Sequence, residues 1–383
     1  MNLKFLDNYI LYYIDRILKK GNLKNGFRDV KERKTDWKHG LGFGIEKTVL
    51  FPKKNPDAYR SKGERQRREN SEETMACTNY ASCNDLEIIM NRMKEMVKNG
   101  EANDVIKSLV KIFEYFELYD ENGEANLSDK FQAIVSGTSR RGNNFNNNCD
   151  AFRKYGIIAE KFCPTPEKYT WDEYYAKPSQ LAYDKGKEFL EYVEINHEWC
   201  YPAVDNDHLL YSPSTTSVYA GGDWNSETVH YKPAYPHNHA VVRDGMEQGK
   251  YDKIFDSYPP FNKKTSWDYG LGKGKIFTFT LKKDPRNLVY KFIEENDGKN
   301  IKHPESPAIW YLQEGKKKLY PNWLTYISFN GLKTGYLTVD RRIIEQIDDG
   351  EKMDIEKSLY WPFLKDVKQE NQQQALLELL YKK

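Results

Sequence analysis

The residues with the clearest chemical potential are a cysteine, a histidine and an aspartate, met in that order. Cys77 lies in the run Thr74-Met-Ala-Cys-Thr-Asn-Tyr-Ala-Ser82. Far downstream come Asn238-His239-Ala-Val-Val242 and then Lys253-Ile-Phe-Asp256-Ser-Tyr258. Such a set can supply a thiol nucleophile, its imidazole base and the group that orients the base. A thiol attacks acyl carbon as thiolate, and a helix N-terminus or a neighbouring imidazolium favours that anion. With Thr74 as N-cap, Cys77 falls in the first turn of a helix, at the positive end of its dipole. His239 opens an apolar strand that would hold the ring rigidly, and its side chain suits a base near neutrality. Asp256 ends the next strand, after a turn through Gly245 to Gly249. Antiparallel neighbours can bring it beside His239, to fix the tautomer and stabilise the imidazolium. An oxyanion needs preorganised donors. The backbone N–H of Cys77 is one; of the upstream amides Gln66 and Asn70, Gln66 is preferred as the other.

Each of these residues also has a plain structural reading. Cys77 could be a core thiol and Asp256 an ordinary turn residue; it is their order and spacing around His239 that favour chemistry. Cys83 sits on the apolar stripe of the same helix and reads as core. His237 would share a face with His239 if the strand began there, so a metal pair is conceivable. No HExxH and no Cys/His cluster supplies further ligands, and neither metal nor organic cofactor is expected. His208 and His230 read as loop residues with surface roles.

The elements that must position these side chains fall into two blocks. Residues 3–19 carry Leu6, Ile10, Tyr13, Ile14 and Ile17 at helical spacing, broken by Asp7, Asp15 and Arg16. They predict an amphipathic helix rather than a signal peptide or membrane span. With the basic, Gly-dotted stretch to Gly44 they form an N-terminal arm over 1–45, which could sit in a cleft. A short strand is expected at Thr48-Val-Leu-Phe51. Helices follow over 75–156: one through Cys83, Leu86, Met90, Met93 and Val97, one capped at Asn103, and one ending at Gly156. From about Leu209 the signals change to strands: Leu209–Tyr211, Thr216–Tyr219, His239–Val242, Lys253–Phe255 and Lys275–Thr280. Such a chain is α+β, with a helical lobe, an antiparallel β lobe and a cleft between them. An insertion within the polar 165–205 stretch, rich in Tyr, Trp and charge, could account for the long separation of Cys77 from His239. Beyond residue 282 lie β-prone segments (Ala308–Leu312, Leu337–Val339) and a helix containing Leu376, Leu377, Leu379 and Leu380.

Composition bounds the function. The 383 residues carry 59 Lys plus Arg against 57 Asp plus Glu, so no global field argues for nucleic acid or an anionic membrane. Basic runs such as Arg65-Gln-Arg-Arg68 are short and read as solvated surface. Mean hydropathy is −0.85, a soluble profile. Five cysteines without a CxxC pair suggest reduced thiols, in a cytoplasm or the interior of a virion.

Several ordered segments resemble the papain-like cysteine peptidases over roughly residues 46–282. Met75-Ala-Cys-Thr-Asn-Tyr-Ala-Ser82 is similar to the family's cysteine helix, and Leu127-Ser-Asp-Lys-Phe131 to its Leu-Ser-Glu-Gln segment. Gly142-Asn-Asn144 through Phe152-Arg-Lys-Tyr-Gly-Ile157, with Glu160 and Pro164, resembles the Gly-rich stretch and the Tyr-Gly-Ile turn. Asn238-His-Ala-Val241 matches the histidine strand and Phe255-Asp-Ser-Tyr258 matches Asn-Ser-Trp, while Trp267-Asp-Tyr-Gly270 resembles the following Gly-Trp-Gly. There are departures too: Gln66 lies further upstream than the family's glutamine, Thr78 replaces a tryptophan, and Tyr258-Pro-Pro replaces Trp-Gly. They resemble a divergent phage or bacterial subgroup using Cys, His and Asp.

The resemblance implies a two-lobed papain-like fold over 46–282, followed by a small C-terminal β-rich and helical accessory region over 283–383. It implies a cysteine peptidase that hydrolyses peptide or isopeptide bonds through a Cys77 thioester, with His239, Asp256 and Gln66 assisting. The expected partner is a peptide or protein substrate, with a peptidoglycan peptide among the candidates. Ile309-Trp-Tyr-Leu-Gln-Glu-Gly315 resembles an accessory module of surface and phage proteins, so attachment to a particle or cell wall is a further expectation. Two other readings stay open: a transglutaminase-like or leader-peptidase-like enzyme, and a catalytically silent papain-fold structural or attachment protein of a phage particle or cell surface.

Overall fold

The computed structural model describes residues 27–33, 36, 38, 47, 49–203, 206–230, 237–283, 292–304, 306–330, 335–339, 341–358 and 360–381. The helix expected over 3–19 lies outside the described residues. The chain divides into two compact units, 1–284 and 285–383.

The first unit is organised around helix α1 (Cys77–Lys98). Nearly every residue of its first four turns is buried, polar ones such as Asn79, Asp85 and Glu87 included. A helix enclosed on all sides belongs in a core. It ends at Asn99, followed by Gly100 at φ 74°. Short polar residues start the next three helices by side-chain capping. Asn103 accepts from the Ile106 N–H ahead of α2 (Asp104–Tyr115), Ser128 from Phe131 ahead of α3 (Asp129–Val135), and Asn144 from Asn147 ahead of α4 (Phe145–Tyr155). Helices α5 (Trp171–Tyr174) and α6 (Gln180–Tyr192) complete the set. Helix α4 stops at Gly156, φ 72°. A Cβ there would lie 2.1 Å from the carbonyl oxygen of Gly186 in α6, so two backbones touch where only glycine fits.

The β part is one seven-stranded sheet built from β1 (Val193–Cys200), β2 (Ser214–Val218), β3 (Thr228–Val229), β4 (His239–Glu247), β5 (Tyr251–Phe255), β6 (Asn262–Ser266) and β7 (Gly274–Leu281). The order is β1-β7-β2-β4-β5-β6-β3, antiparallel except for the β3–β6 pair. Val218 pairs with His239 and Phe255 with Val242, and a bulge interrupts β4 between Arg243 and Gly245. Helix α1 packs against β4, β2 and β7. Helices and an antiparallel-rich sheet make an α+β fold, as the resemblance implies.

Several local expectations are corrected. Residues 49–51 form no strand; Pro52 cannot donate to a ladder, and the chain enters a 3-10 turn over Pro52–Lys54. Leu209 and Leu210 lie in a 3-10 turn, Asp207–Leu210, rather than in a strand. The polar stretch from residue 165 to 203 holds α5, α6 and β1, which pairs with β7 along its full length. Its polar Asn196, His197 and Glu198 are buried, so the alternation that signals a strand is hidden. His208 is buried against Ser214, 3.1 Å from its hydroxyl, instead of serving at the surface.

The second unit contains a four-stranded sheet, order β10-β9-β8-β11, from β8 (Asn300–Lys302), β9 (Ile309–Gln313), β10 (Lys316–Leu319) and β11 (Leu337–Thr338). The β9–β10 hairpin turns at Glu314 and Gly315, both at positive φ, as tight two-residue turns require. Helix α7 (Trp323–Asn330), with Leu364 and with Leu376 of a terminal helix over Gln372–Tyr381, forms an apolar cluster around Tyr320 and Tyr326. Among the described residues no helix is long and apolar enough to cross a membrane.

Candidate active site

Cys77 is the first residue of α1 and His239 the first residue of β4. The helix begins two residues later than a Thr74 cap would place it. Ala76 is the N-cap and offers no side-chain acceptor, while the Thr74 hydroxyl donates to the Gln66 carbonyl at 3.2 Å. Met75, at φ 57°, makes the turn into the helix, a conformation uncommon for a side-chain-bearing residue. Buried amides anchor this helix end. Asn79 Nδ2 donates to Ser136 Oγ and Asn148 Oδ1, both at 2.9 Å, and Asn148 Nδ2 donates to the Thr78 carbonyl at 3.3 Å. Asn143 Nδ2 joins through Ser136 Oγ at 2.7 Å and Thr138 Oγ1 at 2.9 Å.

The histidine ring is held from two sides. His239 Nε2 lies 2.7 Å from Asp256 Oδ1, and both side chains are fully buried. The Trp224 ring meets it edge-on at 6.1 Å between centroids, and Tyr258 does so at 5.6 Å. Among the described residues Nδ1 has no nitrogen or oxygen partner, which leaves it as the ring atom for Cys77, with which the ring makes a side-chain hydrogen bond. Burial disfavours charge on this ring, yet the Asp256 carboxylate and then Cys77 outweigh it, and the pKa is pushed up to about 10. Asp256 shifts the opposite way: burial would raise it, but His239 and Lys263 hold it below the usual carboxylate range.

Asp256 is itself fixed by two further donors. Trp224 Nε1 lies 2.8 Å and Lys263 Nζ 3.0 Å from its second oxygen, Oδ2. Gln66 is fully buried and bonds to Ser257, the residue after Asp256. Its backbone N–H donates to the Ser257 carbonyl at 3.1 Å, and its Oε1 accepts from the Ser257 hydroxyl at 3.1 Å. Its Nε2 donates to Glu73 Oε1 at 2.7 Å, and the other Glu73 oxygen accepts from the Tyr258 hydroxyl. The alternative amide donor, Asn70, is exposed.

Of the residues singled out in the sequence, Cys77, His239 and Asp256 converge, and Gln66 joins them through Ser257 and Glu73. Cys83 is buried beside Asp129, its pKa raised first by burial and then by that carboxylate. None of the five cysteines is in a disulfide. His237 lies outside the strand, its Nδ1 2.8 Å from Ser217 Oγ. No metal-holding group of three His, Cys, Asp or Glu occurs among the described residues. Sequence reasoning missed Trp224, Lys263 and Glu73. A signal existed for Lys263: in Asn262-Lys-Lys-Thr-Ser266 the two-residue period places Lys263 and Thr265 on one face, and both are buried.

No protein-family model matches the chain, and no curated protein matches it. Among solved structures it is similar to xylellain, a cysteine protease from Xylella fastidiosa (16% identity, TM-score 0.43, 66% of this chain and 95% of that one). It is also similar to a mite allergen structure concerned with Blo t 1 and Der p 1 (12%, 0.38, 63% and 74%). A third is procathepsin B S9 from Trypanosoma congolense (11%, 0.39, 68% and 87%).

Proposed function

We propose that this protein is a papain-like cysteine peptidase that transfers the acyl group of a peptide or isopeptide bond to Cys77 and then hydrolyses the thioester. The observation that carries this reading is the His239–Asp256 contact, with Nδ1 of the same ring left for a cysteine at a helix N-terminus. Cys77 Sγ attacks the carbonyl carbon as thiolate, with its proton on His239. His239 passes that proton to the leaving amine, then takes one from water as the thioester is cleaved. Asp256 keeps the ring in the tautomer that turns Nδ1 toward sulfur. The Cys77 N–H and the Gln66 amide are the oxyanion donors in this reading, with Gln66 oriented by Glu73 and Ser257. The test is Cys77→Ala, which should abolish both peptide cleavage and rapid iodoacetamide labelling at neutral pH; unchanged behaviour would reject the assignment.

A second reading, a papain-fold structural or attachment protein without catalysis, draws on two observations. Cys77 and His239 are fully buried, and the Gln66 amide is engaged by Glu73. Absence of turnover, together with a thiol that alkylates no faster than free cysteine, would favour it.

A further inference from the structure

Lys263 stands at an inward position of β6 with its side chain fully buried. A buried ammonium needs partners for its charge and its three N–H groups. It finds them in Asp256 Oδ2 at 3.0 Å, the Tyr258 carbonyl at 2.7 Å and the Pro260 carbonyl. Those carbonyls belong to the turn that follows Asp256, so one cation ties the carboxylate to its own loop. Its nitrogen also lies 5.8 Å from the centre of the Trp224 ring, whose N–H binds the same carboxylate oxygen.

We propose that Lys263 is a positioning residue of this site: it holds the outer oxygen of Asp256 and offsets its charge, so that the two together present His239 with a net-neutral acceptor. The inference rests on the reading of His239 as base to Cys77. A papain-like site with asparagine at the orienting position uses a neutral acceptor; here the same electrostatic result comes from a carboxylate and an ammonium. Without the cation, the ring would face an uncompensated buried anion, and its protonated form would give up a proton less readily. The charged and titratable groups around Asp256 are His239 from β4, Lys263 from β6, Tyr258 in the intervening turn, and Cys77 and Glu73 beyond Tyr258. Burial draws the Lys263 ammonium below the ordinary lysine range, and Asp256 opposes that shift.

The experiment follows the His239 ring by NMR pH titration of the full chain labelled with 15N-histidine, beside peptide turnover, with circular dichroism to verify folding. Lys263→Met should move the His239 titration, and the upper limb of kcat/KM with it, upward by about one unit or more, the usual effect of removing a nearby like charge. Asp256→Asn alone leaves an unpaired cation near the ring, so the titration should fall and turnover should drop by roughly a hundredfold or more. Asp256→Asn combined with Lys263→Met supplies a neutral acceptor without buried charge and should recover at least about tenfold of that loss. An unmoved titration in Lys263→Met, or a double variant no better than Asp256→Asn, overturns the proposal. Should Lys263→Met not fold, the double variant against Asp256→Asn decides. If the unaltered protein neither cleaves peptide nor alkylates rapidly at Cys77, the peptidase reading fails, while the His239 titrations still decide the role of Lys263.

Discussion

His239 Nε2 and Asp256 Oδ1 stand 2.7 Å apart at the junction of β4 and the turn after β5, both enclosed by protein. An unfolded histidine titrates near 6.5, and this one is pushed up to about 10. The folded state therefore binds a proton that the unfolded state releases over this interval. The stabilisation is complete below pH 6.5 and is lost as pH rises through about 10. Urea unfolding should show stability falling between pH 7 and pH 10 by on the order of a few kcal/mol. Asp256→Ala should flatten that slope, and at pH 7 it should lower stability by roughly 3–5 kcal/mol because Lys263 is left buried without its anion. A slope equal in both proteins would contradict the pairing.

Four carboxylates in the helical part set a second pH dependence. Glu64, Glu87, Asp129 and Glu160 all have raised pKa values, from burial first; nearby carboxylates add to the shift in Glu87, Asp129 and Glu160, while Arg68 and Lys62 oppose it in Glu64, and Glu160 is raised to about 7. Acids raised on folding keep protons that the unfolded chain loses. Their neutral forms therefore cost nothing at low pH, and a penalty grows as pH rises from about 4.3 through 7. The melting temperature should fall between pH 6 and pH 8. Glu160→Gln should stabilise the protein at pH 8 by on the order of 1–2 kcal/mol and have little effect at pH 5. Calorimetry at the three pH values checks this, and equal effects at pH 5 and pH 8 would count against the cluster.

Residues 27 and 28, in the stretch read as an N-terminal arm, bond near the same site. The Phe27 N–H donates to the carbonyl of Asn238, the residue before His239, at 3.3 Å, and the Arg28 N–H donates to the Asn143 carbonyl at 2.7 Å. That segment bonds to the residue before His239, and the Cys77 thiol has no exposed surface. Removal of residues 1–33 should speed iodoacetamide labelling of Cys77 by about tenfold or more, as expected when a local closed state is removed. Mass spectrometry of the labelled peptide reads the rate, and an unchanged rate would show that the arm does not shield the thiol.

Legibility in the sequence followed the range of the forces involved. The Asn103 cap, the stop at Gly156 and the strands opening at His239 and ending at Phe255 were readable because caps, φ > 0 glycines and two-residue alternation act over a few residues. β1 was not readable, because Asn196, His197 and Glu198 look solvated and are covered only by distant parts of the chain. Thr74 looked like the helix cap, yet its hydroxyl is drawn to the Gln66 carbonyl, a partner that only the folded loop supplies.

By itself the sequence determined the chemical types and their order: a thiol at a helix start, an imidazole at a strand start and a carboxylate at a strand end. Tertiary structure alone decided which ring nitrogen faces Asp256, that Glu73 takes the Gln66 amide, and that Lys263 closes the far side of the carboxylate. The physical reason is that charge pairing in a buried site depends on distances of a few ångströms between residues far apart in the chain. Local patterning constrains each segment, while only the packed core brings Lys263 within 3.0 Å of Asp256 and away from water.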